Sequence, residues 1–147
     1  SKGLSAPIGS VLVGSQPFIR KAREKRKIWG GQMRQAGIVA AAGIVALEKM
    51  TQRLSTDHEL TKLLAENLSV IPHFQINIKQ VKTNILKIGL NHSYMPASQF
   101  CEKLFNEQKI RIGAVSNNEI RIVVYRGVTL EAISEVIHRI KIFCGQK

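Results

Sequence analysis

Cysteine and histidine are scarce in this chain of 147 residues, which contains two cysteines and four histidines. Cys101 and Cys144 are too few and too far apart for a zinc knuckle, so we predict two reduced thiols. No two histidines have metalloprotease spacing, and no metal site is predicted. All four histidines are expected to be structural or exposed: His58, His73, His92 and His138.

Long hydrophobic runs are also missing. The segment 36–47 is apolar on all sides but has only 12 residues, too few to cross a bilayer, and it lacks a convincing signal-peptide cleavage pattern. We therefore expect a cytoplasmic protein without a membrane segment. The same pattern predicts a helix over 35–54 that packs against the large domain or a second subunit on every side, and that is exposed if this partner is missing. Glycines at 9, 14, 30 and 31 do not have the spacing of a nucleotide-binding loop.

Acidic residues are few, 10 against 22 basic ones, and the formal net charge is +12. Such a charge is typical of proteins that bind nucleic acid or an acidic membrane. Part of the excess lies in the stretch 18–29, which predicts a helix capped by Ser15 with Pro17 in its first turn. Three interpretations stay open for this helix: a solvated face, a site for a cofactor phosphate, or a nucleic-acid site. Aromatic residues interleaved for base stacking would favour the third, but Phe18 and Trp29 only flank the basic run.

Lys2 is the most informative residue of the chain. It lies between Ser1 and Gly3, in a segment of small residues that would let a bulky ring approach the backbone. A lysine partly removed from water is nucleophilic enough to form a Schiff base, so Lys2 is a candidate cofactor anchor. On these residues alone, an ordinary loop lysine is the commoner explanation.

A second segment, Gly30-Gly31-Gln32-Met33-Arg34-Gln35-Ala36-Gly37-Ile38, strengthens the first. Together with Ser1-Lys2-Gly3-Leu4 it resembles the low-specificity L-threonine aldolase family, pyridoxal-phosphate enzymes of the aspartate-aminotransferase fold type. The segments 83–86 and 118–123 resemble two strands of the family's C-terminal domain. The sequence departs from the family at Gln32, where a third glycine is usual, and at Tyr125, where a histidine is common.

The resemblance implies a function and a set of site residues. Lys2 would hold pyridoxal phosphate, Lys27 and Arg34 would lie near the phosphate of a partner subunit, and Arg121 would bind the substrate carboxylate. The reaction implied is cleavage of L-threonine or L-allo-threonine to glycine and acetaldehyde, in a homo-oligomer, either a dimer or a tetramer. Because the anchor lysine is at position 2, the chain is expected to be a C-terminal fragment that is inactive alone.

The pattern predicts an α+β fold in which helices pack on one face of a mainly antiparallel sheet. Residues 1–54 would end the cofactor-binding large domain and supply connecting helices, and 55–147 would form a small C-terminal domain. Ser55, Thr56 and Asp57 offer caps for its first helix. Helices are predicted at 57–68, 96–108 and 129–143, and strands at 74–78, 84–90, 110–115 and 120–125.

Arg121 interrupts the apolar strand 120–124. From the residues alone, a solvent-facing position at a period of two is the commoner explanation, whereas the resemblance favours carboxylate binding by its planar fork of donors.

Two other functions stay open. The chain could be a non-catalytic interaction protein that dimerises through the apolar helix. It could also be a basic nucleic-acid-binding module, but nucleic acid is the less favoured partner because the aromatic residues are separated from the basic run.

Overall fold

The structure is a computed structural model that describes residues 2–146, except the side chain of Lys2. The chain divides into two compact units, Ser1–Thr51 and Gln52–Lys147. Each unit has its own architecture. In the part of the chain that is described, no helix is both long and apolar enough to cross a membrane.

The first unit is helical. A short 3-10 turn at Lys2–Leu4 is followed by an extended segment and by helix α1, Gln16–Ile28. Pro17 lies in its first turn as predicted, and the Ser15 carbonyl accepts from the Ile19 N–H at 2.9 Å. The Ser15 hydroxyl makes no capping hydrogen bond, so that part of the cap prediction is wrong.

Glycine ends α1. Gly30 has φ +71°, a conformation that most side chains avoid, and the Gly31 N–H donates to the Arg26 carbonyl at 2.8 Å. The Gly30 N–H donates to the Lys27 carbonyl at 3.2 Å. These two bonds form a Schellman motif, which turns the chain sharply between Lys27 and Arg34.

The predicted single helix over 35–54 is wrong. Helix α2 spans Gly37–Val45, a wide π turn follows at Ala46–Met50, and a 3-10 turn at Thr51–Arg53 precedes the next helix. None of the nine residues of α2 is fully buried in the structure, and Ile38 exposes 76% of its surface. Within this chain the helix is therefore exposed, and its burial against the large domain or a second subunit stays a prediction.

The second unit has an α+β fold. It contains α3 (Leu54–Leu68), α4 (Ala97–Gln108) and α5 (Leu130–Phe143). Its four strands are β1 (Phe74–Gln75), β2 (Ile85–Leu90), β3 (Gly113–Ser116) and β4 (Glu119–Val123). The strands form one antiparallel sheet in the order β1-β2-β4-β3. The fold class is confirmed, although β1 and β3 are shorter than the predicted strands.

Apolar side chains on one face of this sheet pack against the three helices. Leu86 and Ile88 of β2 lie in register with Ile122 and Ile120 of β4, and Phe100 of α4 is fully buried beside them in the core. The opposite face carries the alternate residues of each strand. Helix α5 begins at a true cap, because the Thr129 hydroxyl accepts from the Ala132 N–H at 3.3 Å.

Asp57 does not cap α3, which corrects the predicted caps at 55–57. The helix begins at Leu54, so Asp57 lies within its first turn. Its fully buried carboxylate accepts from both terminal nitrogens of Arg53, at 2.8 and 3.1 Å. The i,i+4 spacing places the two side chains on one helix face and makes a bidentate ion pair.

Candidate substrate and cofactor site

Arg121 lies on the sheet face that points away from the helices. Its neighbours in β4, Ile120 and Ile122, turn into the core, so the period of two brings the Arg121 side chain to the exposed face. The position inferred from the residues alone is therefore correct, and it leaves the guanidinium accessible.

The neighbours of Arg121 leave it free to bind an anion. Lys87 lies opposite it in β2, and the Lys87 Nζ is 3.1 Å from the Glu119 carboxylate. Among residues 2–146, Arg121 itself forms no ion pair or side-chain hydrogen bond with another residue. Because Glu119 is engaged by Lys87, the carboxylate nearest in sequence is already neutralised.

Gly113 of β3 lies opposite Arg121 on the other side. A Cβ at Gly113 would have no heavy atom within 4 Å. The strand position in register with Arg121 therefore leaves open space on its side of the sheet.

Lys27 and Arg34 stand on either side of the sharp turn that ends α1. Both side chains are exposed, and neither forms an ion pair with any residue in the described range. The two cations are seven positions apart in the chain, with the Schellman motif between them.

The predicted anchor, Lys2, cannot be placed with these groups. Its backbone belongs to the 3-10 turn Lys2–Leu4, but its side chain lies outside the described atoms. Lys27 and Arg34 belong to the first unit and Arg121 to the second.

A third feature, which the sequence did not indicate, is an aromatic cluster in the second unit. The His73 and Tyr94 rings stack with centroids 4.1 Å apart, and Tyr94 also approaches the Phe100 ring. Burial, with a contribution from Cys144, raises the pKa of Tyr94 to about 12. Burial likewise raises the pKa of the Cys144 and Cys101 thiols, both of which are free. The two thiols are thus poor nucleophiles at neutral pH.

The raised pKa of Tyr94 predicts a loss of stability in alkali. The unfolded tyrosine releases its proton near pH 10, whereas the folded one keeps it to about pH 12, so the free energy of unfolding should fall between these values. Absorbance at 295 nm should show an ionisation near pH 12 that Tyr94→Phe removes and Tyr125→Phe does not. Loss of that step in the Tyr125→Phe protein would contradict the assignment.

Comparison with known proteins identifies the family. A family model described as beta-eliminating lyase matches residues 1–90, more than half of the chain. Low-specificity L-threonine aldolase 1 of Arabidopsis thaliana is 40% identical over 129 residues, which cover 88% of this chain and 36% of that protein. Low specificity L-threonine aldolase of Escherichia coli (strain K12) is 36% identical over 137 residues, 92% of this chain and 38% of that protein. The chain thus spans little more than a third of the length of these relatives.

A solved structure supports the fold. The complex of the cystine C-S lyase C-DES with its reaction product, cysteine persulfide, superposes with a TM-score of 0.55. The alignment covers 71% of this chain and 28% of that one at 17% identity, so it shows the fold alone. With the family match over residues 1–90, the resemblance inferred from the sequence is confirmed: this chain belongs to the beta-eliminating lyase family, and low-specificity L-threonine aldolases are among its relatives.

Proposed function

We propose that this chain acts within a pyridoxal-phosphate-dependent aldehyde lyase that cleaves L-threonine and L-allo-threonine to glycine and acetaldehyde. The observation that carries the proposal is the exposed, unpaired Arg121 beside the open backbone of Gly113, in a chain whose relatives are threonine aldolases. Members of the family use pyridoxal phosphate. In the proposed division of labour, residues 1–54 belong to the cofactor-binding domain and 55–147 form the small domain.

Each site residue has a separate task in this proposal. The Lys2 amine would hold one cofactor covalently, and in a homo-oligomer Lys27 and Arg34 would bind the phosphate of the cofactor in a partner subunit. Bound pyridoxal phosphate supplies the electron sink that Cα–Cβ cleavage requires. Arg121 binds the α-carboxylate of the amino acid through two parallel N–H···O bonds, which fixes the orientation of the substrate.

The neighbours of Arg121 support a small anion, such as an amino-acid carboxylate, as the proposed ligand. Arg121 is in register with Lys87 of β2, which forms an ion pair with Glu119, and with Gly113 of β3. A second positive charge in register discourages other cations and raises the local affinity for a small anion. The open space at Gly113 lets a small anion approach this part of the sheet.

The test is labelling of the chain with pyridoxal phosphate, borohydride reduction and peptide mapping. We expect near-stoichiometric modification of Lys2, suppressed when L-threonine or L-allo-threonine is present before reduction. Exposed lysines such as Lys82 and Lys103 are internal controls. Labelling spread evenly over the lysines would overturn the proposed cofactor role of Lys2.

Replacing Arg121 tests the substrate site independently of the anchor. In Arg121→Gln, labelling of Lys2 should persist. The threonine concentration that halves this labelling should rise by roughly 10- to 100-fold, because that factor corresponds to the free energy of one charge-assisted hydrogen-bonded pair. The matched control is Arg126→Gln, another exposed arginine after the same strand, which should behave like the unmodified chain. Equal behaviour of the two variants would contradict carboxylate binding by Arg121.

A further inference from the structure

Three charged side chains share the outer face of the sheet, the face that points away from the helices. The four described strands contain no other charged residue than Lys87 in β2 and Glu119 and Arg121 in β4. In both strands these residues alternate with buried ones, such as Ile88 and Ile120, which turn into the core. The outer face of the sheet therefore carries two cations and one anion, and its net charge is one positive unit.

Strand pairing places the two cations side by side. Lys87 is in register with Arg121, and the Cβ atoms of residues directly opposite each other in antiparallel strands are about 4.5–5.5 Å apart. Like charges at such positions repel each other and destabilise the pairing. The arrangement of Lys87 and Arg121 therefore favours a counter-charge close to one of them.

Glu119 supplies this counter-charge to Lys87. It lies two residues before Arg121 on the same face, diagonally across from Lys87, and its carboxylate is 3.1 Å from the Lys87 Nζ. Directly opposite Glu119 is Gly89, where an added Cβ would lie 3.3 Å from the Cβ of Gln75. No charged side chain thus lies opposite Glu119, and the carboxylate pairs with the diagonal lysine.

The ion pair leaves the two cations in different states. The Lys87 ammonium is held by Glu119, whereas Arg121 forms no ion pair with another residue of the described range 2–146. A ligand with one carboxylate therefore meets one available guanidinium. A second carboxylate on the same ligand would find the nearest other cation engaged, and the Glu119 carboxylate would repel it.

We propose that the Lys87–Glu119 ion pair restricts the Arg121 site to amino acids with a single carboxylate. This inference rests on the proposed binding of the α-carboxylate by Arg121, and it adds a restriction on the substrate side chain. L-Threonine and L-allo-threonine satisfy the restriction because their β-carbon carries a neutral methyl group. A β-hydroxy amino acid with a carboxylate in place of this methyl group does not. Repulsion of the wrong ligand is a common source of specificity.

The ion pair can be changed without unfolding the sheet. The Lys87 and Glu119 side chains are 60% and 33% exposed, and ion pairs of this kind contribute little to stability. The packing of β2 and β4 depends on the opposite face, where Leu86, Ile88 and Ile120 are buried. Substitutions at the ion pair therefore change the charge of the outer face and leave the core in place.

The experiment compares two ligands of nearly the same shape that differ by one charge. Succinamate has one carboxylate and one amide, whereas succinate has two carboxylates, and neither has an amine that could react with a cofactor. Each is titrated into the whole chain, with isotope-labelled arginine, at neutral pH and constant ionic strength. The NMR signal of the Arg121 Nε–Hε group, assigned by its loss in Arg121→Gln, reports binding. The measured quantity is the dicarboxylate preference, defined as the association constant of succinate divided by that of succinamate.

Glu119→Gln should raise the dicarboxylate preference roughly 5- to 20-fold, because it removes a repelling charge and frees the Lys87 ammonium. The double variant Lys87→Gln/Glu119→Gln also lacks the repelling charge but has no second cation. Its gain over the unmodified chain should be only about threefold or less.

The matched control is Glu135→Gln, which removes the same charge from another ion pair of the second unit. The Glu135 carboxylate lies 2.7 Å from the Arg139 Nε in α5, a helix on the other side of the sheet. This variant should change the dicarboxylate preference by less than about twofold, because solvent ions screen distant charges. Backbone amide spectra verify that each variant keeps its fold.

Three results would overturn this inference and leave the proposed function in place. An unchanged preference in Glu119→Gln would mean that the ion pair does not select ligands. Equal gains in the single and double variants would mean that Lys87 takes no part. A gain of the same size in Glu135→Gln would mean attraction by the overall positive charge. By contrast, an Arg121 signal that responds to neither ligand in any of these chains would overturn the proposed carboxylate site, and this inference with it.

Discussion

Phe100→Ala is expected to lower the free energy of unfolding of the second unit by about 3–5 kcal/mol. The Phe100 side chain is fully buried in α4, and three aromatic rings surround it. Its centroid is 5.3 Å from that of Phe143, 5.7 Å from Phe74 and 6.2 Å from Tyr94. Removing the Phe100 ring leaves a cavity where α4, α5 and β1 meet. The three surrounding rings are held in place by their own packing and cannot move to fill it.

Native-state hydrogen exchange of the β2 and β4 amides measures this loss, because it reports the second unit separately from the first. Phe105→Ala is the matched control on the same helix. Phe105 is 38% exposed, and the Arg111 guanidinium lies 4.7 Å from its ring centroid, so this variant should lose about 1 kcal/mol or less. Similar losses in both variants would show that the Phe100 site is not tightly packed.

The sheet that carries Arg121 depends on this core. Ile120 and Val124 are buried on the side of β4 that faces α4 and α5, and they hold the alternate side chains on the outer face. The alternation was readable in the sequence, which is why β4 and the direction of Arg121 could be predicted. The neighbours of Arg121 could not, because they depend on register. Only strand pairing brings Lys87 and Gly113 to either side of it.

Strands outside the centre of the sheet were predicted less well. Ile110 and Ile112 were expected to lie in a strand, but β3 begins at Gly113, and its pairing with β4 shifts between Ala114 and Ser116. Both isoleucines nevertheless pack against the core. An apolar alternation reports burial on one side and does not distinguish paired backbone from a buried loop.

The helical stretch around residues 37–68 shows a second limit. The residues from 38 to 68 include no proline or other strong breaker to indicate the wide turn at Ala46–Met50, apart from Gly43 within α2. Asp57 was predicted as a cap because acidic residues are favoured near helix N-termini. Arg53, four residues before it, instead forms an ion pair with the Asp57 carboxylate within the helix. The i,i+4 pair was visible in the sequence, but its burial was not.

Arg53→Ala is expected to lower the free energy of unfolding of the second unit by about 3 kcal/mol. The Asp57 side chain is 0% exposed, and Arg53, at 25%, supplies both donors of its bidentate pair. Removing the guanidinium leaves a buried carboxylate without its cation, which costs much more than the pair contributes. Exchange of the α3 amides measures the change.

The pair Lys62–Glu66 on the same helix provides the control, with the same i,i+4 spacing. Its charged atoms are 3.8 Å apart and its side chains are 62% and 48% exposed, so Lys62→Ala should cost about 0.5 kcal/mol or less. If Arg53→Ala were equally mild, burial of the Asp57 carboxylate would not be the decisive factor.

The double variant Arg53→Met/Asp57→Leu separates the two possible contributions of the buried pair. It removes both charges and fills the space with apolar groups, so it should recover most of the stability lost in Arg53→Ala. Such recovery would mean that the penalty comes from the uncompensated carboxylate. A double variant as unstable as the single one would mean that the bidentate geometry itself holds the start of α3, since apolar side chains of similar length cannot replace its two hydrogen bonds.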